Sequence, residues 1–523
     1  MSQFNTRSAL LERLRAEDRW DVVVVGGGAT GLGTALDAVS RGHRTVVLEA
    51  HDFAKGTSSR STKLIHGGVR YLARGDVKLV REALHERGLL ARNAPHLVHA
   101  RSFLVPAYGR WDRPYYGLGL WAYDRLAGRL GFGRSRSIGR DEAIELIPTI
   151  EPAGLRGGIL YQDGQFDDAR LAIAVVRTIL DLGGVALNAV QIAGLKRAGG
   201  RIKGVEAIDS ETGERLDIQA NAVINATGVW ADELRRMDDP EAPPMITPSQ
   251  GVHLVLDREF LPGETALMVP KTDDGRVLFA IPWNGRTLIG TTDTPVVDAP
   301  IEPRARPDEV AFLMSHAARF LTRDPEPADV RSVFAGLRPL IASPGHGAAT
   351  ARLSREHATI ASPSGLITVT GGKWTTFRRM GVSAVDLAER TTDLPRRPSR
   401  SAELLLHGWT DQVERTPLGE YGSDLEALLQ LARSTPGGEQ RLHARLPFIE
   451  GEVRWAARYE LARTVEDVLA RRTRALFLDA QAASEAAPRV AAILTEELGR
   501  APAWSTHQVE RFQSLARGYL LNG

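Results

Sequence analysis

Apolar positions along the chain fall into a helical and a strand rhythm. Residues 22–25 are wholly apolar, the pattern of a short parallel strand buried on both faces. Leu32, Ala35, Leu36 and Val39 then recur at i, i+3, i+4 and i+7, which predicts a helix with one apolar face, ended by Arg41-Gly42-His43. Residues 45–48 read as a second buried strand. Ahead of this unit, residues 1–20 predict a short lead-in helix, with Thr6 as cap and Leu10, Leu11 and Leu14 on its apolar side.

Further along, residues 77–90 read as a charged helix. Residues 167–184 read as a helix with Leu171, Val175, Ile179 and Leu182 on one side. Strands follow at 185–190, 202–208 and 222–226, with a turn at 196–201. Residues 238–248 are Pro-rich and acidic, a crossing point between domains. From 251 to 293 the pattern becomes short strands at 252–256, 266–269, 277–281 and 287–290, which predicts an antiparallel sheet, with a helix at 307–321 upon it. A strand at 366–370 leads into a helix that opens at Gly371 and runs to about 389. Residues 391–402 are polar and rich in Pro and Arg, a linker. The remainder is mostly helical: Trp455, Leu461, Val465, Val468 and Leu469 mark one long helix, and Arg471-Arg472-Thr473-Arg474 after it reads as a solvated basic face. There are no internal repeats and no low-complexity segment.

The first strand ends in Gly26-Gly27-Gly28-Ala29-Thr30-Gly31, a match to G-x-G-x-x-G. Gly26 permits a tight turn, Gly28 lets the backbone approach a pyrophosphate, and Gly31 lets helix and strand pack closely. The helix N-terminus offers free N–H groups and a positive dipole end to phosphates. Glu49 stands 18 residues after Gly31, where an acid would bond a ribose 2′-OH. Strand, glycines, helix, strand and acid in this order predict an adenine dinucleotide, and an acid at Glu49 argues against NADP. Residues 51–72 are rich in Gly, Ser, Thr and Lys and begin where the second strand delivers the chain to the cofactor, so they read as a ligand-binding loop.

Composition narrows the chemistry. With no cysteine among 523 residues, disulfides, thiolate catalysis, iron–sulfur ligation and Cys-ligated zinc are excluded. His66, His85, His96 and His99 show no metal-ligand spacing, so no metal is expected. A net charge of +2 gives no reason to expect nucleic acid. No apolar run reaches the roughly 18 residues of a membrane span, and no signal peptide is seen.

GTSSRSTKLIHGGVRYL after GGGATGLG resembles the FAD-dependent glycerol-3-phosphate dehydrogenases of the D-amino-acid-oxidase-like flavoprotein superfamily. DDARL (167–171), NATGVW (225–230), IPW (281–283), IGTTD (289–293), GLRPL (336–340) and GGKWTTFR (371–378) continue the resemblance over nearly the whole chain. Small departures are Val229 where the family pattern has Pro, and Trp374 and Phe377 where it has Leu and Tyr; none removes a charged group. The resemblance implies a Rossmann-like α/β FAD-binding domain, an antiparallel β-sheet substrate or cap domain, and an all-α C-terminal domain. The expected division is a lead-in helix at 1–20; FAD-binding segments at 21–240 (with an insertion at 100–160) and 336–390; the cap at 241–335; the linker at 391–402; and the helical domain at 403–523.

The same resemblance implies an FAD site built from Gly26, Gly28, Ala29, Thr30, Gly31, Glu49, Ala50, Thr57, Ser58, Ser59, Ser61, Lys63, Leu64, His66, Val190, Ala226, Thr227, Gly228, Gly336, Gly372, Lys373 and Thr375. It implies a substrate pocket of Arg70, Tyr71, His253, Arg338, Arg355 and Lys373. Within it, His253, Arg338, Lys373 and Arg70 would be catalytic. Arg forks match a phosphate, an imidazole is the best candidate base, and the helix opening at Gly371, with Lys373, can face the flavin edge that gains charge on reduction.

The expected activity is oxidation of sn-glycerol 3-phosphate to dihydroxyacetone phosphate, with electrons passed from reduced FAD to a quinone. Two alternatives stay open: an oxidase that passes electrons to oxygen, and a non-catalytic FAD-binding protein whose helical tail docks a partner. Residues 110–136 hold six arginines, two aspartates and the aromatics Trp111, Tyr115, Tyr116, Trp121, Tyr123 and Phe132. If residues 117–130 form a helix, Leu118, Ala122, Leu126 and Leu130 make an apolar stripe beside Arg125 and Arg129, which suits a helix lying among lipid headgroups. The alternative is a core helix whose arginines face water. The resemblance favours peripheral contact with the inner face of the cell membrane in a cytoplasmic protein, and a homodimer is compatible with it.

Overall fold

The computed structural model describes residues 6–72, 75–273, 275–341 and 357–521. Two sheets organise it. The first has the order His357–Ala361, Ile367–Gly371, Arg215–Asn225, Trp20–Val25, Thr45–Leu48, Val185–Leu187. Its central neighbours run parallel, with Val24 opposite Ile224 on one side and Val47 on the other. Strands flanked on both faces need apolar residues throughout, and Val22, Val23, Val24, Val46 and Val47 are fully buried. The helix Ala29–Ser40 covers one face. The first half of Arg215–Asn225 also pairs antiparallel with Arg201–Asp209, which pairs with Val190–Ala198.

The second sheet has the order Thr294–Pro295, Ile246–Asp257, Arg286–Gly290, Leu278–Trp283, Ala266–Val269, Val98–Pro106, Gly158–Phe166, Leu64–Ile65; Val330–Ile341 lies along Ile246–Asp257, and Arg136–Ile138 along Gly158–Phe166. It is larger than the sequence pattern suggests. Val98–Pro106 and Gly158–Phe166 bracket the stretch expected as an insertion in the FAD-binding domain, yet they complete this sheet. Val330–Ile341 likewise crosses the expected boundary at 335/336 without interruption. Pairing between residues far apart in the chain, such as Phe103 with Tyr161 and with Ala266, leaves no local signature.

The lead-in helix runs over Arg7–Ala16, with Thr6 Oγ1 accepting from Ala9 N–H at 3.3 Å. The helix expected over 117–130 is Asp112–Ala127 followed by the turn Gly128–Leu130. Its buried side carries Leu120, Tyr123 and Ala127. Its outward row is Trp111, Tyr115, Leu118 and Trp121, exposed by 81, 67, 69 and 54 %. That row shares only Leu118 with the Leu118/Ala122/Leu126/Leu130 stripe: Ala122 and Leu126 are half-buried on the helix flank, and Leu130 falls in the turn beyond its end.

The C-terminal domain departs from expectation twice. The long helix marked by Trp455 to Leu469 is broken: Glu450–Tyr459 ends, Leu461 takes φ +57°, and a wide π-type turn follows at Asp467–Arg472. Arg471, Arg472 and Arg474 are not a solvated face but are buried, at 2 % exposure or less. Arg472 donates two bonds to Asp52, at 2.7 and 2.9 Å, and Arg471 a third at 2.5 Å. Arg474 reaches Ser59 O at 2.6 Å and Asp168 at 3.1 Å. The counter-charges lie some 300 to 420 residues earlier in the chain, so the cluster reads as solvent-facing until the chain is folded. Burying it fastens the helical domain to the loop after Glu49.

Candidate active site

A cavity of about 620 Å³ lies between the carboxyl ends of the first sheet's parallel strands and one face of the second sheet. At its first end, strand Trp20–Val25 turns through Gly26 at φ +107° into the helix Ala29–Ser40. A Cβ at Gly31 would stand 1.9 Å from Gly26 O, so the helix meets the strand this closely only with glycine there. At Gly28 the only group a Cβ would meet within 4 Å among the described residues is Ser58 Oγ, at 3.1 Å; the space above it is cavity. Glu49 stands on the same wall. Its carboxylate accepts Gly27 N–H at 2.6 Å and His51 N–H at 2.9 Å. Burial raises the Glu49 carboxyl above the usual range, and these two donors work against that rise.

At the other end are His253, Arg338, Tyr71 and Lys373. His253 lies on Ile246–Asp257, opposite Phe334 on one neighbouring strand and Gly290 on the other. Its ring stacks on Phe334 at 4.9 Å, Nε2 lies 2.9 Å from Thr62 Oγ1, and Nδ1 has no hydrogen-bond partner among the described residues. Burial, then the cations of Lys63 and Arg338, hold its pKa well below the usual imidazole value, so the ring is neutral at neutral pH. Arg338 lies on Val330–Ile341 opposite Ser249. Its fork donates to Thr291 Oγ1 at 3.1 Å and Thr292 O at 3.0 Å, with Asp293 at 3.4 Å; Ser249 holds Asp293 in turn. Lys373 Nζ lies 4.0 Å above the Tyr71 ring, at the start of the turn that leads into the helix Phe377–Thr391.

Of the residues named from sequence, Gly26, Gly28, Ala29, Thr30, Glu49, Ala50, Thr57, Ser58, Ser61, Leu64, His66, Tyr71, Val190, Ala226, Thr227, Gly228, His253, Gly336, Arg338, Gly372, Lys373 and Thr375 all line this one cavity. Gly31, Ser59 and Lys63 do not. Gly31 is taken up by its contact with Gly26. Ser59 is buried and offers its carbonyl to Lys63 and Arg474. Lys63 is fully buried, with its ammonium 2.7 Å from Asp168 and 5.3 Å from the Phe334 ring centre. Burial pushes the Lys63 pKa down to about 8. Burial also opposes the Asp168 charge, yet Lys63 and Arg474 hold that carboxyl below its usual range. Asp168 further accepts Ser61 N–H and Oγ–H, so these ions brace the loop from behind. Arg70 falls in the short helix Val69–Leu72, with its side chain outside the described residues; Arg355 lies outside them altogether. Sequence reading missed Thr62, which meets His253, and the roles of Thr291, Thr292 and Asp293 beside Arg338. The IGTTD motif was the available signal for the last three.

Residues 21–378 match the family described as FAD dependent oxidoreductase, and residues 367–508 the C-terminal domain of alpha-glycerophosphate oxidase. The chain is 38 % identical to the mitochondrial glycerol-3-phosphate dehydrogenase of Homo sapiens, over 98 % of this chain and 75 % of that protein. It is 39 % identical to the Arabidopsis thaliana mitochondrial enzyme, over 92 % of this chain and 83 % of the other. The chain belongs to the FAD-dependent glycerol-3-phosphate dehydrogenase family. The fold agrees: the Bacillus halodurans glycerol-3-phosphate dehydrogenase solved with FAD superposes with a TM-score of 0.80 at 28 % identity, covering 99 % of this chain and 98 % of that one. The L-alpha-glycerophosphate oxidase of Mycoplasma pneumoniae shares the fold at a TM-score of 0.57 and 17 % identity. FAD is the cofactor of this family, and the residues present fit it. The glycine turn and the N-terminal end of Ala29–Ser40, where Ala29 N–H meets Ser58 Oγ at 2.9 Å, suit a pyrophosphate, and Glu49 suits a ribose hydroxyl. The open space above Gly28 is where a side chain would collide with the ligand.

Proposed function

We propose that the protein oxidises sn-glycerol 3-phosphate to dihydroxyacetone phosphate and passes the electrons to a quinone. One observation carries this reading: a cavity that begins at a dinucleotide turn ends in Arg338, Lys373 and a buried neutral imidazole. Bound FAD supplies the hydride acceptor. Arg338, its fork preset by Thr291, Thr292 and Asp293, and Lys373 bind the phosphate dianion; Arg70 and Arg355 join them by resemblance. His253 receives the hydroxyl proton at Nε2, directly or across the Thr62 hydroxyl. Its lowered pKa keeps the ring neutral across the neutral range, and the tautomer protonated at Nδ1 leaves Nε2 able to accept a proton, as a base requires. The names of the relatives support the substrate. The direct test of the acceptor is to reduce the enzyme anaerobically with glycerol 3-phosphate and mix it with oxygen or a soluble quinone. Faster reoxidation by quinone is expected. Faster reoxidation by air-level oxygen would favour the oxidase reading, which the description of the family matched at 367–508 supports.

Electron delivery to a quinone pool calls for contact with a bilayer, and no helix among the described residues is long and apolar enough to cross one. The exposed row Trp111, Tyr115, Leu118 and Trp121, with Arg125 lying 5.2 Å over the Trp121 ring, supports peripheral docking on an anionic headgroup layer. Co-sedimentation with anionic liposomes at low salt is expected, and Leu118→Glu with Trp121→Glu should weaken it while soluble-dye reduction survives. Binding that is absent, or indifferent to these changes, refutes the docking face.

A further inference from the structure

Behind the substrate end of the cavity lies a buried polar cluster to which the proposed chemistry assigns no role. Tyr123, 1 % exposed, projects from the inner side of the helix Asp112–Ala127. Its hydroxyl donates to Asp163 Oδ2 at 2.7 Å and accepts Gly67 N–H at 2.8 Å. Asp163 is held in turn by Arg87 at 2.8 Å and by Gly164 N–H at 3.1 Å. Burial, then the Asp163 charge, raises the Tyr123 hydroxyl well above its usual pKa, so it stays a donor.

What Tyr123 holds is the segment that delivers Tyr71. Gly67 is followed by Gly68 at φ +78°, where a Cβ would meet the Tyr71 ring at 2.6 Å. Gly68 O accepts Tyr71 N–H at 2.9 Å, and the Tyr71 ring lies under Lys373 Nζ. On the other side of the segment, His66 N–H donates to Thr375 Oγ1 at 3.3 Å. Two consecutive glycines offer little resistance of their own to rotation. The Gly67–Tyr123 bond is therefore an anchor next to the glycine turn from which the Tyr71–Lys373 pair is aimed.

We propose that Tyr123 is a positioning residue for substrate binding: through the Gly67 amide it sets the Gly67–Gly68 turn, and so the placement of Tyr71 against Lys373. The proposal rests on the reading of that end of the cavity as the phosphate end. Removing the hydroxyl leaves a buried N–H without that acceptor and takes from Asp163 Oδ2 its Tyr123 donor, while Arg87 and Gly164 N–H stay on Oδ1. Rotation about Gly67 and Gly68 is the cheapest relief, and it carries Tyr71 away from the ammonium.

The test is Tyr123→Phe in the FAD-loaded enzyme, with anaerobic flavin reduction followed at varied glycerol 3-phosphate. The half-saturating concentration should rise about fivefold or more, while the limiting reduction rate changes less than about twofold and FAD content stays the same. Tyr108→Phe is the control. It removes a hydroxyl bonded to Glu151 O beside the start of the same helix, away from the glycine turn, and should leave half-saturation unchanged. Unchanged half-saturation in Tyr123→Phe, or an equal shift in both variants, overturns the proposal. So does a limiting rate that falls in step with saturation. Failure of the wild-type flavin to bleach at all would sink the substrate reading instead. Independently of any variant, the Gly67 amide of the wild-type holoenzyme should resist hydrogen exchange with and without glycerol 3-phosphate; rapid exchange there overturns the proposal.

Discussion

Asp52→Ala tests whether the helical domain is fastened by charge. Asp52 is 2 % exposed and accepts two bonds from Arg472, one from Arg471 and one from Asn188 Nδ2 at 3.0 Å. After the substitution Arg471 keeps Glu466 at 2.9 Å and Asp467 at 2.8 Å. Among the described residues Arg472 keeps only Glu460, whose carbonyl it meets at 2.9 Å and whose carboxylate lies 4.0 Å away. Leaving one buried guanidinium largely uncompensated costs roughly 3–5 kcal/mol. The readouts are FAD release on heating, followed by flavin fluorescence, and protease cleavage in the segment around 392–417 between the domains. Both should come earlier in Asp52→Ala, and Asp52→Asn, which retains a carbonyl acceptor, should fall between it and wild type. Acid should act on the same seam. Burial opposes the Glu466 charge, but Arg471 and Lys55 hold its carboxyl down to about 2, below its unfolded value of roughly 4.3. That stabilisation is complete above the unfolded pKa and is lost as pH falls from about 4 to about 2. A loss below about 1 kcal/mol in Asp52→Ala, with cleavage unchanged, would refute the reasoning.

Gly28→Val should lose FAD while keeping the fold, since the new side chain enters cavity space; a variant that purifies with full FAD refutes the assignment of this turn. Arg338→Ala should lower kcat/KM for glycerol 3-phosphate by about 30- to 900-fold, equivalent to roughly 2–4 kcal/mol, with a much smaller loss on unphosphorylated glycerol. Equal losses on the two substrates would mean that Arg338 serves the flavin or the fold. His253→Asn should slow flavin reduction and remove the acid limb of its pH profile. That limb belongs below 6.5, because burial and the Lys63 and Arg338 cations disfavour the imidazolium; a limb that survives in the variant returns His253 to a structural role.

The parts of the fold legible in the sequence are those whose pattern is local. The run at 22–25, the helix face of Leu32, Leu36 and Val39, and the strands at 266–269 and 287–290 each carry their own periodicity and emerge nearly as expected. Gly26, Gly28 and Glu49 share a wall because one strand–turn–helix–strand unit of about thirty residues delivers all three. Long-range events leave no such trace. Val98–Pro106 pairs with Gly158–Phe166 across a helix-bearing excursion, and nothing in either run names its partner. Arg472 reads as a surface charge because Asp52 is 420 residues away. Lys63 sits in a loop rich in cofactor-binding residues, yet it turns away from the cavity because Asp168, the first residue of a distant helix, offers it a charge. Thr62 was passed over for the same reason: its only distinction is the imidazole that folding brings to 2.9 Å from it.

The central claim is that the Arg338, Lys373 and His253 end of the cavity presents a phosphorylated secondary alcohol to bound FAD. The measurement that meets it most directly is anaerobic addition of sn-glycerol 3-phosphate to the yellow holoenzyme, with glycerol at the same concentration as control. The account predicts prompt loss of the flavin's visible absorption with glycerol 3-phosphate and little change with glycerol. A flavin that stays oxidised with glycerol 3-phosphate, or that bleaches equally with both, would contradict it.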